Sequence, residues 1–252
     1  MALTPVLEEA RQKFFAVVKD HGLQSEEVEV TIGTLSAEQA IGSPSRQDFA
    51  LLEGREVMIE AQFKGSFGQA FTEHPQGFKG SLSQVQDLSL ATASNRAIFI
   101  STLNAVSAHL DMVTGVRHCR DGEPERCGSQ VALCLQQSFG NIEVGLIGFQ
   151  PAIMENLIER FGVHNVQCSD LNPRNIGSHK FGVEIKDGRT KNLDVIRWCN
   201  LLLVTSSAII NNTFDALRNE TLSQGKPVIM YGVSGAGVSA LLGLDRVCPL
   251  AH

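Results

Sequence analysis

The second half of the chain alternates short apolar segments with helical ones. Four apolar runs follow residue 128, and they read "EVGLIGF", "VQCSDL", "NLLLVTSS" and "PVIMYGV". Amphipathic segments such as "PAIMENLIERFG" separate them. Strands that are apolar along their whole length are typical of parallel sheets covered by helices on both faces. This alternation predicts a Rossmann-like domain.

The first half has a different periodicity. "VEVTIG" and "EVMIEAQF" alternate apolar with polar residues, which predicts half-buried, antiparallel strands. A helix is predicted over residues 4–21, with Thr4 as its cap, and two more follow near residues 81–91 and 94–112. The predicted fold class is therefore α/β overall, with an N-terminal α+β domain over residues 1–115 and a Rossmann-like parallel-sheet domain over residues 116–252.

The composition and charge of the chain limit the kinds of partner that it can bind. The 252 residues are 43% hydrophobic, and 27 acidic against 21 basic residues give a formal net charge of −6. This charge provides no attraction to nucleic acids or anionic membranes. No apolar stretch is long enough to span a bilayer, and "MALTPVLEEARQKFF" does not resemble a secretory signal. We expect a cytoplasmic protein with a small-molecule ligand, with homo-oligomerisation left open.

Polar residues follow each predicted strand of the second half. The strands end in "GFQP", "SDLNP", "TSSAIINNT" and "YGVSGAG". Ligands of open parallel sheets bind beyond the carboxyl ends of the strands. Asp170 lies 22 residues after Gly148, near where an acid binds a ribose hydroxyl in dinucleotide sites. "GFQPAI" lacks the further glycines of such sites, so NAD is not expected, and Asp170 could equally be a turn residue that bonds its own backbone.

The third strand end carries an unusual number of polar side chains: Thr205, Ser206, Ser207, Asn211, Asn212 and Thr213. Helix capping accounts for one or two of them. The whole set suits a heterocycle, a carboxylate or a phosphate. "GVSGAG", with Gly232 and Ser234, could add backbone N–H donors, although a tight turn explains its glycines as well.

The segment "HCRDGEPERCG" suggests a metal site. His118, Cys119 and Cys127 are groups that transition metals prefer. The two cysteines are more widely spaced than in closed zinc sites, which favours an acidic interdomain connection instead. The other cysteines are expected to be small buried hydrophobes: Cys134, Cys168, Cys199 and Cys248.

The chain lacks the standard hydrolase, nucleotide-triphosphatase and zincin motifs. Asn104 lies on the long predicted helix of the first half, and its position alone suggests solvent exposure.

The ordered motifs resemble a known family. "GLIGFQPAIMENL", "CSDLNP", "LLLVTSSAIINNT" and "VIMYGVSGAGVSALLGLDRVCP" are similar to the putative heavy-metal chelation domain family, which is Rossmann-like. "VEVTIG", "GQAFTEHPQGFKG" and "RAIFISTLNAV" resemble the enolase N-terminal-like domain that precedes it in many members. The resemblance implies two packed domains that share a cleft.

The resemblance also implies a set of cleft residues. Asp170 and Asn104 become candidate catalytic residues, and Asp170 would bind a hydroxyl or act as a base. Candidate ligand-binding residues are Gly148, Thr205, Ser206, Asn211, Thr213, Gly232 and Ser234. Val233 follows Gly232 where the family often has proline, which leaves the conformation of that turn in question.

The function implied by the resemblance is condensation or hydrolysis in the synthesis of flavins, pterins or siderophore-like chelators. Two alternatives stay open. One is a non-catalytic protein that binds a transition metal through His118, Cys119 and Cys127. The other is an S-adenosylmethionine-dependent methyltransferase, which the acid after the second strand favours and the absence of a glycine-rich first loop disfavours.

Overall fold

The computed structural model describes residues 5–32, 42–46, 48–49 and 56–252. The predicted cap Thr4 lies outside these residues. Within them, no helix combines the length and the apolarity needed to cross a membrane.

The first half forms a four-stranded antiparallel sheet, as its alternating pattern predicts. Its strands are β1 (Glu27–Ile32), β2 (Val57–Phe63), β3 (Ser66–Thr72) and β4 (Phe78–Ser81), in the order β3-β2-β1-β4. In β1, Val28 and Val30 are buried, whereas Glu27 and Glu29 are exposed. One face of the sheet therefore faces a core.

Three helices accompany this sheet: α1 (Val6–Asp20), α2 (Leu82–Gln86) and α3 (Ala93–His109). Ser81 and Gln84 form a capping box at the start of α2, and Thr92 caps α3. Helix α3 lies directly on β3. A Cβ atom at Gly68 would come within 2.2 Å of the Ala105 nitrogen, so this helix and this strand approach as closely as backbones allow.

The second half forms a seven-stranded sheet that is parallel except at one edge. Its strands are β5 (Val144–Ile147), β6 (Val166–Asp170), β7 (His179–Lys180), β8 (Val183–Asp187), β9 (Leu201–Thr205), β10 (Val228–Tyr231) and β11 (Arg246–Val247). The order is β11-β10-β9-β5-β6-β8-β7, and only β7 runs antiparallel to its neighbour. Without β7, this is the doubly wound order, which reverses between β5 and β9.

Helices cover this sheet: α4 (Glu123–Phe139), α5 (Pro151–Phe161), α6 (Gly188–Trp198), α7 (Ser207–Ile210), α8 (Phe214–Ser223) and α9 (Ala236–Leu242). The sequence pattern predicts the first of these helices near residues 129–138, and the predicted start is wrong. The helix begins at Glu123, because Pro124 suits its first turn and two glutamates favour its positive end.

The two sheets share one hydrophobic core. Phe99 and Leu103 of α3 belong to the same buried cluster as Val204 of β9, Met230 of β10 and Val238 of α9. The predicted boundary after residue 115 falls in the connection between α3 and α4, and its position stays a prediction.

Asn104 lies at the centre of this shared core. Its Nδ2 donates to the Gln69 oxygen at 2.9 Å and to the Val233 oxygen at 3.2 Å, and its Oδ1 accepts from the Gly237 nitrogen at 2.8 Å. The expectation that Asn104 is exposed was wrong: it is fully buried, because α3 is covered by its own sheet on one side and by the second half on the other.

We expect Asn104→Ala to lower the free energy of unfolding by about 2–4 kcal/mol, because the variant leaves buried backbone groups of Gln69, Val233 and Gly237 without a partner. Urea unfolding measures the change. Asn219→Ala on the exposed side of α8 is the matched control and should change stability by less than about 0.5 kcal/mol. Equal effects of the two substitutions would contradict the role of Asn104 in joining the two halves through buried hydrogen bonds.

Candidate functional site

A cavity of about 530 Å³ lies where the strand order of the parallel sheet reverses. This volume is in the range of small-molecule sites, and the reversal point is where doubly wound sheets bind ligands. The cavity wall contains ten of the predicted site residues: His118, Cys119, Cys127, Gly148, Asp170, Thr205, Ser206, Asn211, Thr213 and Gly232. Their roles stay predictions, but the structure brings them together.

The loop after β5 forms the floor of the cavity. Gly148 has φ +89°, its nitrogen donates to the Ser169 oxygen at 2.8 Å, and its oxygen accepts from the Tyr231 hydroxyl at 2.7 Å. A Cβ atom there would lie 2.6 Å from Cγ2 of Thr205. Only glycine fits both the conformation and the space.

Asp170 ends β6 and organises two loops at once. Its Oδ2 accepts from the Phe149 nitrogen at 3.2 Å and from Nδ2 of Asn175 at 2.8 Å, and its Oδ1 accepts from the Asn172 nitrogen at 3.0 Å. The bond to the Asn172 nitrogen is the turn interaction that the sequence allowed. A carboxylate has about four acceptor positions, so roughly one is left for a ligand.

The polar cluster after β9 divides into structural and available groups. Ser206 is buried, and its nitrogen donates to the Tyr231 oxygen at 2.8 Å. Asn211 is exposed in the cavity wall, and Thr205 and Thr213 are partly buried there. Asn211 and Asn212 are thus the side chains of this cluster that are most open to a ligand.

Two predicted residues do not reach the cavity wall. Asn104 is in the shared core described above, and Ser234 is buried with its Oγ accepting from the Phe71 nitrogen at 3.0 Å. Gly232 does line the cavity, with φ +99°, and Val233 after it begins a short 3-10 turn and is fully buried. The turn therefore forms with valine at the position whose conformation the resemblance left in question.

Glu56 was missed by the sequence analysis. It immediately precedes β2 and reaches the cavity from the first sheet. Burial and the nearby charges of Asp170 and Glu73 raise the pKa of Glu56 to about 7, against a smaller lowering by His118. Burial also lowers the pKa of His118 below its usual value. In the sequence, Glu56 looked like the polar position of an alternating strand, and no local signal distinguished it.

Three thiols line another part of the wall. Cys127 on α4 lines the cavity with Cys119 and Cys248, and the interaction with Cys119 together with burial raises the pKa of Cys127 to about 12, against a lowering by Cys248. Cys248, expected to be an isolated hydrophobe, was the partner missed, because it is distant in sequence and follows β11. The expectation of burial was also wrong for Cys134, which is exposed.

Acidic residues between His118 and Cys127 bond to an earlier segment of the chain. Asp121 accepts from the Ser43 nitrogen at 3.0 Å, and Glu125 accepts from Ser45. The segment therefore does connect the two halves. Among the described residues, no group of three or more His, Cys, Asp or Glu side chains is arranged to hold a metal ion.

We expect the stability of the wild-type protein relative to Glu56→Gln to fall between about pH 5 and pH 8. A carboxyl whose pKa is raised on folding keeps its proton in the native state, so stability is lost as pH rises above the unfolded value and through about 7. The difference between the two proteins should change by on the order of 3 kcal/mol in urea unfolding at the two pH values. The variant removes only this ionisation, so other groups cancel in the comparison. Stability curves that run parallel would contradict the raised pKa of Glu56.

Comparisons with known proteins agree with this fold. Residues 132–244 match the model of the DUF364 family, whose description is "Putative heavy-metal chelation". The match covers somewhat less than half of the chain, and it agrees with the resemblance of the motifs. The likeness of the first half to enolase N-terminal-like domains stays a prediction.

Two solved structures of DUF364 proteins are similar to this chain. A DUF364 protein with unknown function from Pyrococcus horikoshii is 16% identical, with a TM-score of 0.53 over 91% of this chain and 80% of that chain. Another, from Desulfitobacterium hafniense DCB-2, is 12% identical, with a TM-score of 0.48 over 74% of this chain and 72% of that one. The first likeness supports the fold. No curated protein matches the chain.

Proposed function

We propose that the protein is an enzyme that binds a flat, heteroatom-rich molecule in the cavity between its two sheets and catalyses proton transfer in a condensation or hydrolysis. One observation carries the proposal: Glu56 from the first sheet and Asp170 from the second line the same cavity at the reversal point of the parallel sheet. The proposed site therefore needs residues from both halves.

The wall of the cavity favours a ring system. Phe49, Phe71 and Phe149 supply aromatic surface, and Asn192 and Asn211 supply uncharged donors and acceptors. Aromatic side chains stack on planar rings, and amides pair with the polar edges of heterocycles. A pterin or a flavin has both features.

The two carboxyl groups differ in a way that suits acid–base chemistry. Asp170 already accepts three hydrogen bonds from the protein, so it suits the positioning of a ligand hydroxyl or amine. Glu56 has a pKa of about 7, so it can both take and give a proton near neutrality. Condensation and hydrolysis need both actions, because a nucleophile loses a proton and a leaving group gains one.

The family description concerns heavy-metal chelation. A heterocycle with several nitrogen and oxygen atoms is a common form of metal chelator, which connects the proposed ligand class with that description. Synthesis or breakdown of such a chelator is the specific reaction we propose.

We expect isothermal titration calorimetry to detect binding of pterin-6-carboxylate or flavin mononucleotide with a dissociation constant below about 100 μM. Asn211→Ala should weaken that binding by about tenfold, because it removes an exposed polar contact of the wall without removing a buried bond. Asn219→Ala outside the cavity is the control.

The competing outcomes are distinct. Binding of neither ring, or binding that Asn211→Ala leaves unchanged, would overturn the proposal. Binding of S-adenosylmethionine alone would move the protein to the methyltransferase class.

In the proposed enzyme, affinity for the bound ring should vary between about pH 6 and pH 8 in the wild type, and much less in Glu56→Gln. Asp170, Glu73 and His118 face Glu56 and are unchanged in that variant.

A further inference from the structure

A segment that lies between β1 and β2 in sequence crosses to the second half of the protein. It consists of residues 42–46, 48 and 49 and is named the strap here. The Ser43 nitrogen donates to Oδ1 of Asp121 at 3.0 Å. The nitrogen and the hydroxyl of Ser45 donate to Oε1 of Glu125 on α4 at 3.0 Å and 2.8 Å. The strap is therefore held by side chains of the second half, although its sequence belongs to the first.

Arg46 is the centre of this attachment. Its guanidinium donates two parallel hydrogen bonds to Asp48, at 2.8 Å and 2.9 Å, and another to Glu155 on α5. The same group lies 5.3 Å from the ring centre of Phe181. Phe181 has φ +51°, which a side chain of this size rarely adopts, in the turn between β7 and β8. Arg46 thus joins the strap to α5 and to that turn through charged and cation–π contacts.

The strap contributes an aromatic side chain to the cavity. Phe49 is 6% exposed and lines the cavity wall. It belongs to a small apolar cluster with Phe71 and Val233, and the partly buried Cys248 packs against that cluster. Movement of the strap away from α4 and α5 would take Phe49 out of the wall and uncover Cys248.

The attachment depends mainly on polar contacts near the surface. The side chains of Asp48 and Glu155 are 37% and 39% exposed. Ion pairs that water and salt can reach contribute little to stability. Pro44 and Phe49 are the buried apolar side chains among the described residues of the strap. Because segments with few buried apolar groups open before the core does, the strap can detach while both sheets stay folded.

We propose that the strap opens and closes one side of the cavity, with Arg46 as the latch that holds Phe49 in the wall. In the closed state, which this structure shows, Phe49 excludes water from the apolar part of the cavity. Opening breaks the contacts of Arg46 with Glu155 and Phe181 and gives a ligand a route to the interior. Asp48 belongs to the strap, so its pair with Arg46 moves as a unit. The proposal does not depend on the proposed enzymatic function.

The test follows the labelling of each cysteine by N-ethylmaleimide in fully reduced protein, with peptide mass spectrometry as the readout. Arg46→Gln should accelerate the labelling of Cys248 by about tenfold, because the loss of charged hydrogen bonds raises the population of the open strap. Cys134 is exposed and should react at the same rate in both proteins. Cys168 and Cys199 are fully buried, so their labelling reports global unfolding and should stay unchanged.

Salt provides a second measurement, on the unchanged protein. A rise in sodium chloride from about 0.05 M to about 1 M should accelerate the labelling of Cys248 in the wild type by about threefold, because salt screens the exposed pair of Arg46 and Glu155. The same rise should have a much smaller effect in Arg46→Gln, since that pair is already lost. Labelling of Cys248 that responds equally to salt in the two proteins would contradict the latch.

Arg126→Gln is the matched control, because Arg126 lies on α4 and pairs with Glu123 at 3.8 Å. It should label like the wild type. Wild-type labelling of Cys248 in Arg46→Gln, or equal acceleration in Arg126→Gln, would overturn the proposal. Acceleration of Cys168 and Cys199 to the same extent as Cys248 would assign the effect to global unfolding and would also overturn it.

The folding of one variant does not decide the result. Circular dichroism with thermal unfolding verifies that Arg46→Gln folds. If it does not, Glu155→Gln removes the same ion pair from the other side and is read in the same way. The assay contains no organic ligand, so its failure would leave the calorimetric test of the proposed function intact, and the reverse also holds.

Discussion

The burial of α3 between the two sheets is the constraint on which the rest of the structure depends. A helix covered on every side must satisfy its polar side chains within the protein, because no water is available to them. Asn104 meets this requirement by bonding to backbone groups of β3, of the turn after β10 and of α9. Its three bonds therefore hold the first sheet at a fixed position relative to the strand ends of the second sheet. The cavity is lined by residues of both halves that these bonds hold together.

That arrangement places two carboxyl groups of different character around one space. Asp170 is held by three donors at the end of β6, as the geometry of a doubly wound sheet allows. Glu56 belongs to the other sheet and reaches the cavity only because the sheets are joined. Pairs of acids whose surroundings differ in this way are a common basis for separate roles in proton transfer. The chemistry of the site is thus a property of the joined sheets and of neither sheet alone.

Sequence reasoning reached the parts of this structure that local patterns determine. Apolar runs separated by amphipathic helices predicted the parallel sheet, and the rule that ligands bind at strand ends located Gly148, Asp170, Thr205 and Asn211. It failed where tertiary neighbours decide. Asn104 looked exposed because half of its surroundings come from the second sheet, Glu56 looked like an ordinary polar strand position, and Cys248 is far from Cys127 in sequence. The start of α4 was also missed, although Pro124 and its flanking glutamates are a local signal for a helix start.

The acid and the thiols line the same cavity, and burial acts on both. Burial raises the pKa of Glu56 and contributes to the raised pKa of Cys127, because both ionised forms lose contact with water. Glu56 also interacts with His118, because protonated His118 lowers the pKa of Glu56 and ionised Glu56 raises the pKa of His118. Each group therefore favours the charged form of the other, so a proton lost by the acid can be balanced by a proton gained at the imidazole.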